Sequence, residues 1–280
     1  MSLEELRSKK DDVLNETVAQ GILQELTDLR GLGGSHNKRW ALELIQNALD
    51  ASNEEGVDVV FEMNENGLTF SHNGRAFKEE ELIHLIFHGS TKVESESASG
   101  KLGTGFLSTH LLSPIVKVTG TLHAQQKFSF TLDRDAETLN ELTSKMKKTW
   151  QELEDSLVDL VDKDVIETTF LYPLQSDGSK SICKEGLETI KQLVPVIIAF
   201  QEKLSSVTIK ENGDEYLWKR GGIQSEVIEV DYKLNGKEVD NDISGMLVKE
   251  LENVKVGIPV ILLYLINFPL LKEVEALFPL

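Results

Sequence analysis

The stretch Glu43-Leu44-Ile45-Gln46-Asn47-Ala48-Leu49-Asp50-Ala51 decides how the rest of the chain is read. A helix is predicted from about Asn37 to Ser52. On it, Glu43, Asn47 and Asp50 stand at i, i+4 and i+7 and form one stripe. Trp40, Leu44, Ile45 and Ala48 form an adjoining apolar stripe, suited to packing on a sheet. A polar stripe beside a packing face is what any amphipathic helix carries, so its meaning depends on its neighbours in the chain.

Two later segments supply that context. Phe70-Ser71-His72-Asn73-Gly74-Arg75-Ala76-Phe77 joins a strand to a helix, and Gly74 permits a tight turn or a close backbone approach. Gly89-Ser90-Thr91-Lys92 then leads into a Ser- and Gly-rich stretch that ends in Gly100-Lys101-Leu102-Gly103-Thr104-Gly105-Phe106-Leu107-Ser108. Gly100, Gly103 and Gly105 run straight into a helix. Backbone N–H groups at such a start, with the helix dipole behind them, form an anion cradle. No Gly-Lys-Ser/Thr closes it, so it is not a Walker loop, and no strand feeds it at once, so it is not the dinucleotide fingerprint.

Composition bounds the setting. The chain has 280 residues, is 40% hydrophobic and 27% charged, and carries a net charge of −18. That length builds a substantial core, and the composition is globular. The negative balance argues against a bulk surface gripping nucleic-acid phosphates, though not against a local anion site. The lone Cys183 cannot form an internal disulfide, which fits a reducing compartment. The opening MSLEELRSKKDD has no apolar signal core, and the longest uncharged run, Val256 to Leu271, is shorter than the roughly 20 residues of a spanning helix. No membrane segment is expected, and the chain reads as cytoplasmic.

Periodicity predicts a helix over 1–30, a hairpin of Val57–Glu62 and Leu68–Phe70 around Asn64-Glu65-Asn66-Gly67, and a helix over Phe77–Phe87. A short helix over Phe106–Leu112, strands at Ile115–Thr121 and Lys127–Leu132, partly helical charged residues 133–164 and a strand at Glu167–Leu174 follow. Ser176-Asp177-Gly178-Ser179 reads as a linker or loop before an apolar helix, Ile182–Phe200. Short strands then alternate with turns at Asn212-Gly213, Gly221-Gly222 and Asn235-Gly236. The chain stops at Phe278-Pro279-Leu280 after an apolar stretch, and the expectation is a fragment of a longer polypeptide.

Together, in this order, the three segments resemble the boxes of the GHKL (Bergerat-fold) ATPases, which include the ninety-kilodalton heat-shock chaperones, MutL-type repair proteins, type II topoisomerases and sensor histidine kinases. ELIQNALDA resembles the first box and GKLGTGFLSTHLL the lid-and-phosphate box of the chaperones. HNGRAF, GSTK and GKLGTGF together look most like the sacsin-type and related prokaryotic branch. The resemblance covers roughly residues 37–175. It implies a two-layer α/β sandwich with a mixed, mostly antiparallel sheet, an ATP-binding domain over 1–175 and a smaller α+β extension over 176–280.

The resemblance also implies residue roles. Glu43 matches the carboxylate that activates the hydrolytic water, Asn47 the amide that holds magnesium, and Asp50 a residue lining the pocket. Gly100, Gly103, Thr104, Gly105 and Phe106 match the phosphate-receiving backbone, and Thr168 the hydroxyl that supports adenine reading. One departure stands out. The second box usually opens with an Asp that accepts from the adenine amino group; aligned on Gly74, that place holds His72, with Asn73 beside it as another acceptor. The implied ligands are ATP or ADP with magnesium. The implied partners are a protein client or further domains of the same polypeptide, with room for a homodimer. Lid closure over 89–105 would couple nucleotide state to such a partner. The competing expectations are a nucleotide sensor without efficient turnover and a repair-type ATPase. Lys92 and Lys101 read as solvated loop lysines, His84 and His88 as surface or boundary residues, and His110 and His123 as isolated.

Overall fold

The computed structural model describes residues 2–32, 38–87, 104–161, 167–224, 227–238, 245–251 and 254–259. Among the described residues six helices stand in chain order: α1 (Leu3–Leu32), α2 (Arg39–Asp50), α3 (Glu79–Phe87), α4 (Thr104–Leu107, continued by a 3-10 turn Ser108–Leu111), α5 (Leu139–Ser156) and α6 (Asp177–Phe200). The strands are β1 (Val57–Asn64), β2 (Gly67–His72), β3 (Ile115–Leu122), β4 (Gln126–Asp133), β5 (Val158–Asp159), β6 (Thr168–Tyr172), β7 (Leu204–Glu211), β8 (Asp214–Gln224), β9 (Val227–Leu234), β10 (Lys237–Glu238), β11 (Gly245–Leu251) and β12 (Val254–Pro259).

Among the described residues these strands form one sheet, ordered β12-β11-β9-β8-β7-β1-β2-β6-β3-β4-β5, with β10 beside β9. All of its pairings are antiparallel except β1 with β7. It is the mixed, mostly antiparallel sheet of the expected α/β sandwich. The β1–β2 hairpin turns where the sequence signals it. Gly67 takes a φ of +137, which favours glycine, and Asn66 N–H donates to the Asn64 side chain at 2.8 Å.

Period-2 alternation sorts the hairpin. Val57, Val59 and Phe61 are buried on the helix-facing side of β1, while Asp58 and Glu62 are exposed on the other. Register then aligns Phe61 with Phe70 and Phe70 with Phe170, with ring centroids 4.8 and 6.3 Å apart. One step along, Val59, His72 and Thr168 form the next row. Trp40 of α2 meets Phe61 edge-on at 6.1 Å and donates Nε1–H to the Ile182 carbonyl of α6 at 3.4 Å.

Two expectations are corrected, and a third, which holds, gains detail. Ser176–Ser179 is not a linker: Ser176 is the N-cap of α6, its hydroxyl accepting from Ser179 N–H at 3.0 Å, so the helix starts five residues before the predicted Ile182. Gly221-Gly222 is not a turn but lies within β8, where the pairing with β9 shifts register. A Cβ on Gly221 would come within 2.9 Å of the Glu229 side chain, so glycine is needed for close strand approach. The predicted helix over 1–30 forms, but its apolar positions divide. Ala19, Ile22 and Leu26 are buried against Leu142 and Met146 of α5, whereas Leu6, Val13 and Leu14 are exposed.

The core is continuous across residue 175. Leu187, Ile190, Val194, Leu204 and Val207 belong to the same buried cluster as Leu44, Val59 and Phe70, because β7 extends the sheet from β1 and α6 packs on α2. That packing is tight at Gly186, where an added Cβ would lie 2.4 Å from the Trp40 ring. Gly21, mid-α1, has open space around it. Substituting helical Gly by Ala normally stabilises by about 0.5–1 kcal/mol. Gly21→Ala should follow that rule. Gly186→Ala should instead destabilise by about 1–3 kcal/mol, the usual cost of overpacking. Urea denaturation of both variants checks this, and equal shifts for the two would contradict the packing described.

Candidate functional site

The stripe on α2 is placed by the burial of its other face. Trp40, Ala41, Leu44, Ile45 and Ala48 are buried, leaving Glu43, Asn47 and Asp50 half-buried along the helix edge. α4 meets the stripe at its first end. A Cβ on Gly105 would lie 2.0 Å from Glu43 Oε2, so only glycine lets the carboxylate reach this backbone. Glu43 Oε1 accepts from Arg39 Nε at 2.7 Å. Asn47 carries a buried amide nitrogen with no hydrogen-bond partner among the described residues, a donor awaiting an acceptor. Asp50 Oδ1 accepts from Gln46 Nε2 at 2.9 Å.

The strand–Gly turn meets the stripe at its other end. Arg75 N–H donates to the Ala51 carbonyl at 2.7 Å, and a Cβ on Gly74 would strike that same carbonyl at 2.6 Å. The Arg75 guanidinium donates to both carboxylate oxygens of Glu81, at 2.9 and 2.6 Å, which pins the turn to α3. So α2 is gripped at both ends: by the glycine of α4 beside Glu43 and by the glycine turn beside Ala51.

His72 and Thr168 face each other across β2 and β6, 4% and 1% exposed respectively. His72 Nδ1 accepts the Gly74 N–H at 3.2 Å. Burial, with the Arg75 charge second, pushes the imidazole pKa down to about 4. Asn73 is placed apart from this row. It points to the side of the sheet that carries Asp58, where its Oδ1 accepts from Asp58 N–H at 2.7 Å and its Nδ2 donates to Asp58 Oδ2 at 3.0 Å. Both ends of that amide are therefore engaged.

Thr104 opens α4, and Gly105 and Phe106 follow in its first turn. Phe106 is buried 5.5 Å from the Phe170 ring, which ties α4 to the sheet beside the His72–Thr168 row. Ser108 and Thr109 hydroxyls donate to the Gly105 and Phe106 carbonyls, each at 2.7 Å. Gly100 and Gly103, together with His88, Lys92, Lys101 and the 89–103 part of the expected lid, lie outside the described residues.

Some residues matter here that the sequence reading passed over. Arg39 sits four residues before Glu43, a spacing that was legible. Arg75 and Glu81 lie six apart across a turn, which no periodicity reveals. His110, read as isolated, is buried beside Phe106, and burial pushes its pKa down to about 3. Arg134 is buried, with two guanidinium nitrogens that find no partner among the described residues and a pKa pushed down to about 10 by burial. Only the tertiary fold brings the last two inside.

As to a metal, no group of three or more His, Cys, Asp or Glu could hold one among the described residues. Magnesium takes oxygen ligands, keeps several waters and leans on substrate phosphates. The Asn47 amide beside the Glu43–Gly105 contact fits that habit, since phosphate oxygens and water would complete the shell. Among the described residues, no helix is long and apolar enough to cross a membrane.

Residues 38–168 match the family model described as histidine kinase-, DNA gyrase B-, and HSP90-like ATPase. Over that segment the chain is a member of the GHKL ATPase superfamily, an ATP-binding module. A search of curated proteins found no match to the chain.

The histidine makes the site pH-sensitive in a defined direction. Its folded form is neutral, so its contribution to stability is complete above the ordinary imidazole pKa of about 6.5 and is lost as pH falls toward 4. Between pH 7 and pH 5 that is about 2 kcal/mol. Urea denaturation at both pH values should show a smaller drop for His72→Gln than for wild type. Equal drops would mean that His72 titrates normally in the fold.

Proposed function

We propose that this module hydrolyses ATP with magnesium and that its nucleotide state drives conformational change in a larger chaperone-like or regulatory protein. The observation that carries the reading is the contact between Gly105 and Glu43. It sets a carboxylate directly against the backbone that would receive the terminal phosphates. Phosphoryl transfer to water asks chiefly for positioning, charge stabilisation and a base for the nucleophile. Glu43 would take the water's proton through Oε2, while Arg39 holds Oε1 and so orients the carboxylate. Asn47 would give its oxygen to magnesium, and the metal would offset phosphate charge. The α4 backbone would orient the phosphates, and the buried His72–Thr168 row would enclose the base.

The Arg39–Glu43 pair favours a second reading, a nucleotide sensor whose base is held by an ion pair. Magnitude decides against it. Arg39 is 58% exposed, and an exposed i,i+4 pair is worth about 0.3–0.5 kcal/mol, too little to withhold Glu43 from water. The single buried thiol, Cys183, supports a reducing cytoplasmic setting. The resemblance to the heat-shock and sacsin-type branch supports a protein client, further domains or a second copy as the partner.

Calorimetric titration with magnesium-ATP and magnesium-ADP should show binding to wild type. Asn47→Ala should weaken it by at least about tenfold, roughly 1.4 kcal/mol. Glu43→Gln should keep ATP affinity yet lower steady-state phosphate release by about a hundredfold or more, the usual worth of a general base. Wild type that binds no ATP defeats the reading. Wild type that binds ATP but releases phosphate no faster than Glu43→Gln leaves the sensor.

A further inference from the structure

The two ends of α2 orient the ligand. Glu43, at one end, touches Gly105 of the phosphate-receiving turn, while Ala51, at the other, touches the Gly74 turn. Eight residues separate them, which is on the order of 12 Å along a helix. A nucleotide whose phosphates lie at Gly105 therefore has its base at the Gly74 end, where His72 stands in the wall of the sheet. There Val59 flanks the imidazole on β1, Thr168 faces it on β6, and the Phe70 ring lies 6.0 Å away.

The hydrogen bond His72 makes settles which nitrogen carries its proton. Gly74 N–H donates to Nδ1, so Nδ1 must offer a lone pair, and the ring's one proton is on Nε2. No described residue accepts from Nε2. His72 is 4% exposed as a residue, and its Nε2 is not among the fully buried atoms left unpartnered, so a base that covers it must supply an acceptor or leave the donor unpaired. The neutral state this requires agrees with the depressed pKa of the ring. Asn73, the other polar group of the turn, is committed to Asp58 on the opposite side of the sheet.

We propose that His72 sets base selection by donating through Nε2–H, so that this pocket does not require a 6-amino group and admits 6-oxo purine nucleotides. This rests on the nucleotide-binding reading of the site. A 6-oxo group accepts from Nε2–H directly. The adenine amino group is a donor, and a donor facing a donor leaves both unpaired. Adenine still offers its ring N1 as an acceptor, so ATP is accommodated, but without the advantage an acceptor in the wall would give it. A carboxylate at position 72 would reverse the polarity and favour the amino group.

The test compares ATP with inosine triphosphate, which differs only at the 6-position edge, by calorimetric titration with magnesium. Wild type should bind inosine triphosphate at least as tightly as ATP. His72→Asp should shift the affinity ratio toward ATP by at least about tenfold, since the carboxylate accepts from the amino group and faces the 6-oxo group as acceptor against acceptor. Should His72→Asp not fold, as judged by circular dichroism, His72→Asn gives the second comparison. Its amide can turn an acceptor to the base, and the same direction of shift is expected. Nitrogen-15 spectra of the wild-type imidazole should show the Nε2–H tautomer. Wild type that prefers ATP about tenfold or more, a ratio unmoved by either folded variant, or the Nδ1–H tautomer overturns the proposal while leaving nucleotide binding intact. If neither triphosphate binds, the nucleotide-binding reading fails, and this one with it.

Discussion

The position of Trp40 governs the rest of the structure. Its ring is fully buried, edge-on to Phe61 of the sheet on one side and against Gly186 of α6 on the other, with its N–H on the Ile182 carbonyl. Burying a Trp removes about 150–250 Å² from water, worth on the order of 5 kcal/mol at 25 cal/mol per Å². That contact locks the rotation of α2 about its own axis. A helix free to roll by one residue, about 100°, would carry Glu43, Asn47 and Asp50 away from the pocket. The packing of one aromatic side chain is thus the condition for the polar stripe to mean anything.

With α2 locked, two glycines bring the remaining parts to it. At Gly105 and Gly74 a methyl group would collide with a Glu43 carboxylate oxygen and with the Ala51 carbonyl, so absent side chains create the site as much as present ones do. Between these contacts lie the Glu43 carboxylate, the Asn47 amide and the α4 backbone, with a buried row of His72 and Thr168 beyond. The net charge of −18 fits this economy of positive groups. An acidic surface opposes the approach of a bare polyphosphate, and on the proposed reading a bound metal would offset that charge.

Much of this could be read from residue order. The i, i+4, i+7 stripe, the Asn-Gly hairpin and the strand alternation around Phe61 and Phe70 are local patterns, and the structure keeps them. The errors arose where local signals are ambiguous. Ser176–Ser179 has loop composition, yet the same residues make an N-cap, since a serine hydroxyl that breaks a helix inside one starts it at the end. Gly221-Gly222 suggests a turn, but it relieves crowding against Glu229 within a strand. The helix over 1–30 forms as its spacing predicts, yet Leu6, Val13 and Leu14 stand exposed among the described residues, since spacing carries no information about what lies opposite.

The sequence by itself determined which residue types stand where: the acid and amide on one helix face, the glycines that allow close approach, and a histidine where the resemblance implies a carboxylate. Those are matters of chain-local geometry and chemistry. Only the tertiary structure decided what each group does with its neighbours. It engaged Asn73 with Asp58 on one side of the sheet and buried His72 on the other, because successive strand residues face opposite ways and the register with β6 set Thr168 beside it. It also fixed the proton of His72 on Nε2 through a single backbone N–H two residues away. A tautomer depends on the direction of one hydrogen bond, and that direction exists only once the turn is folded against the helix.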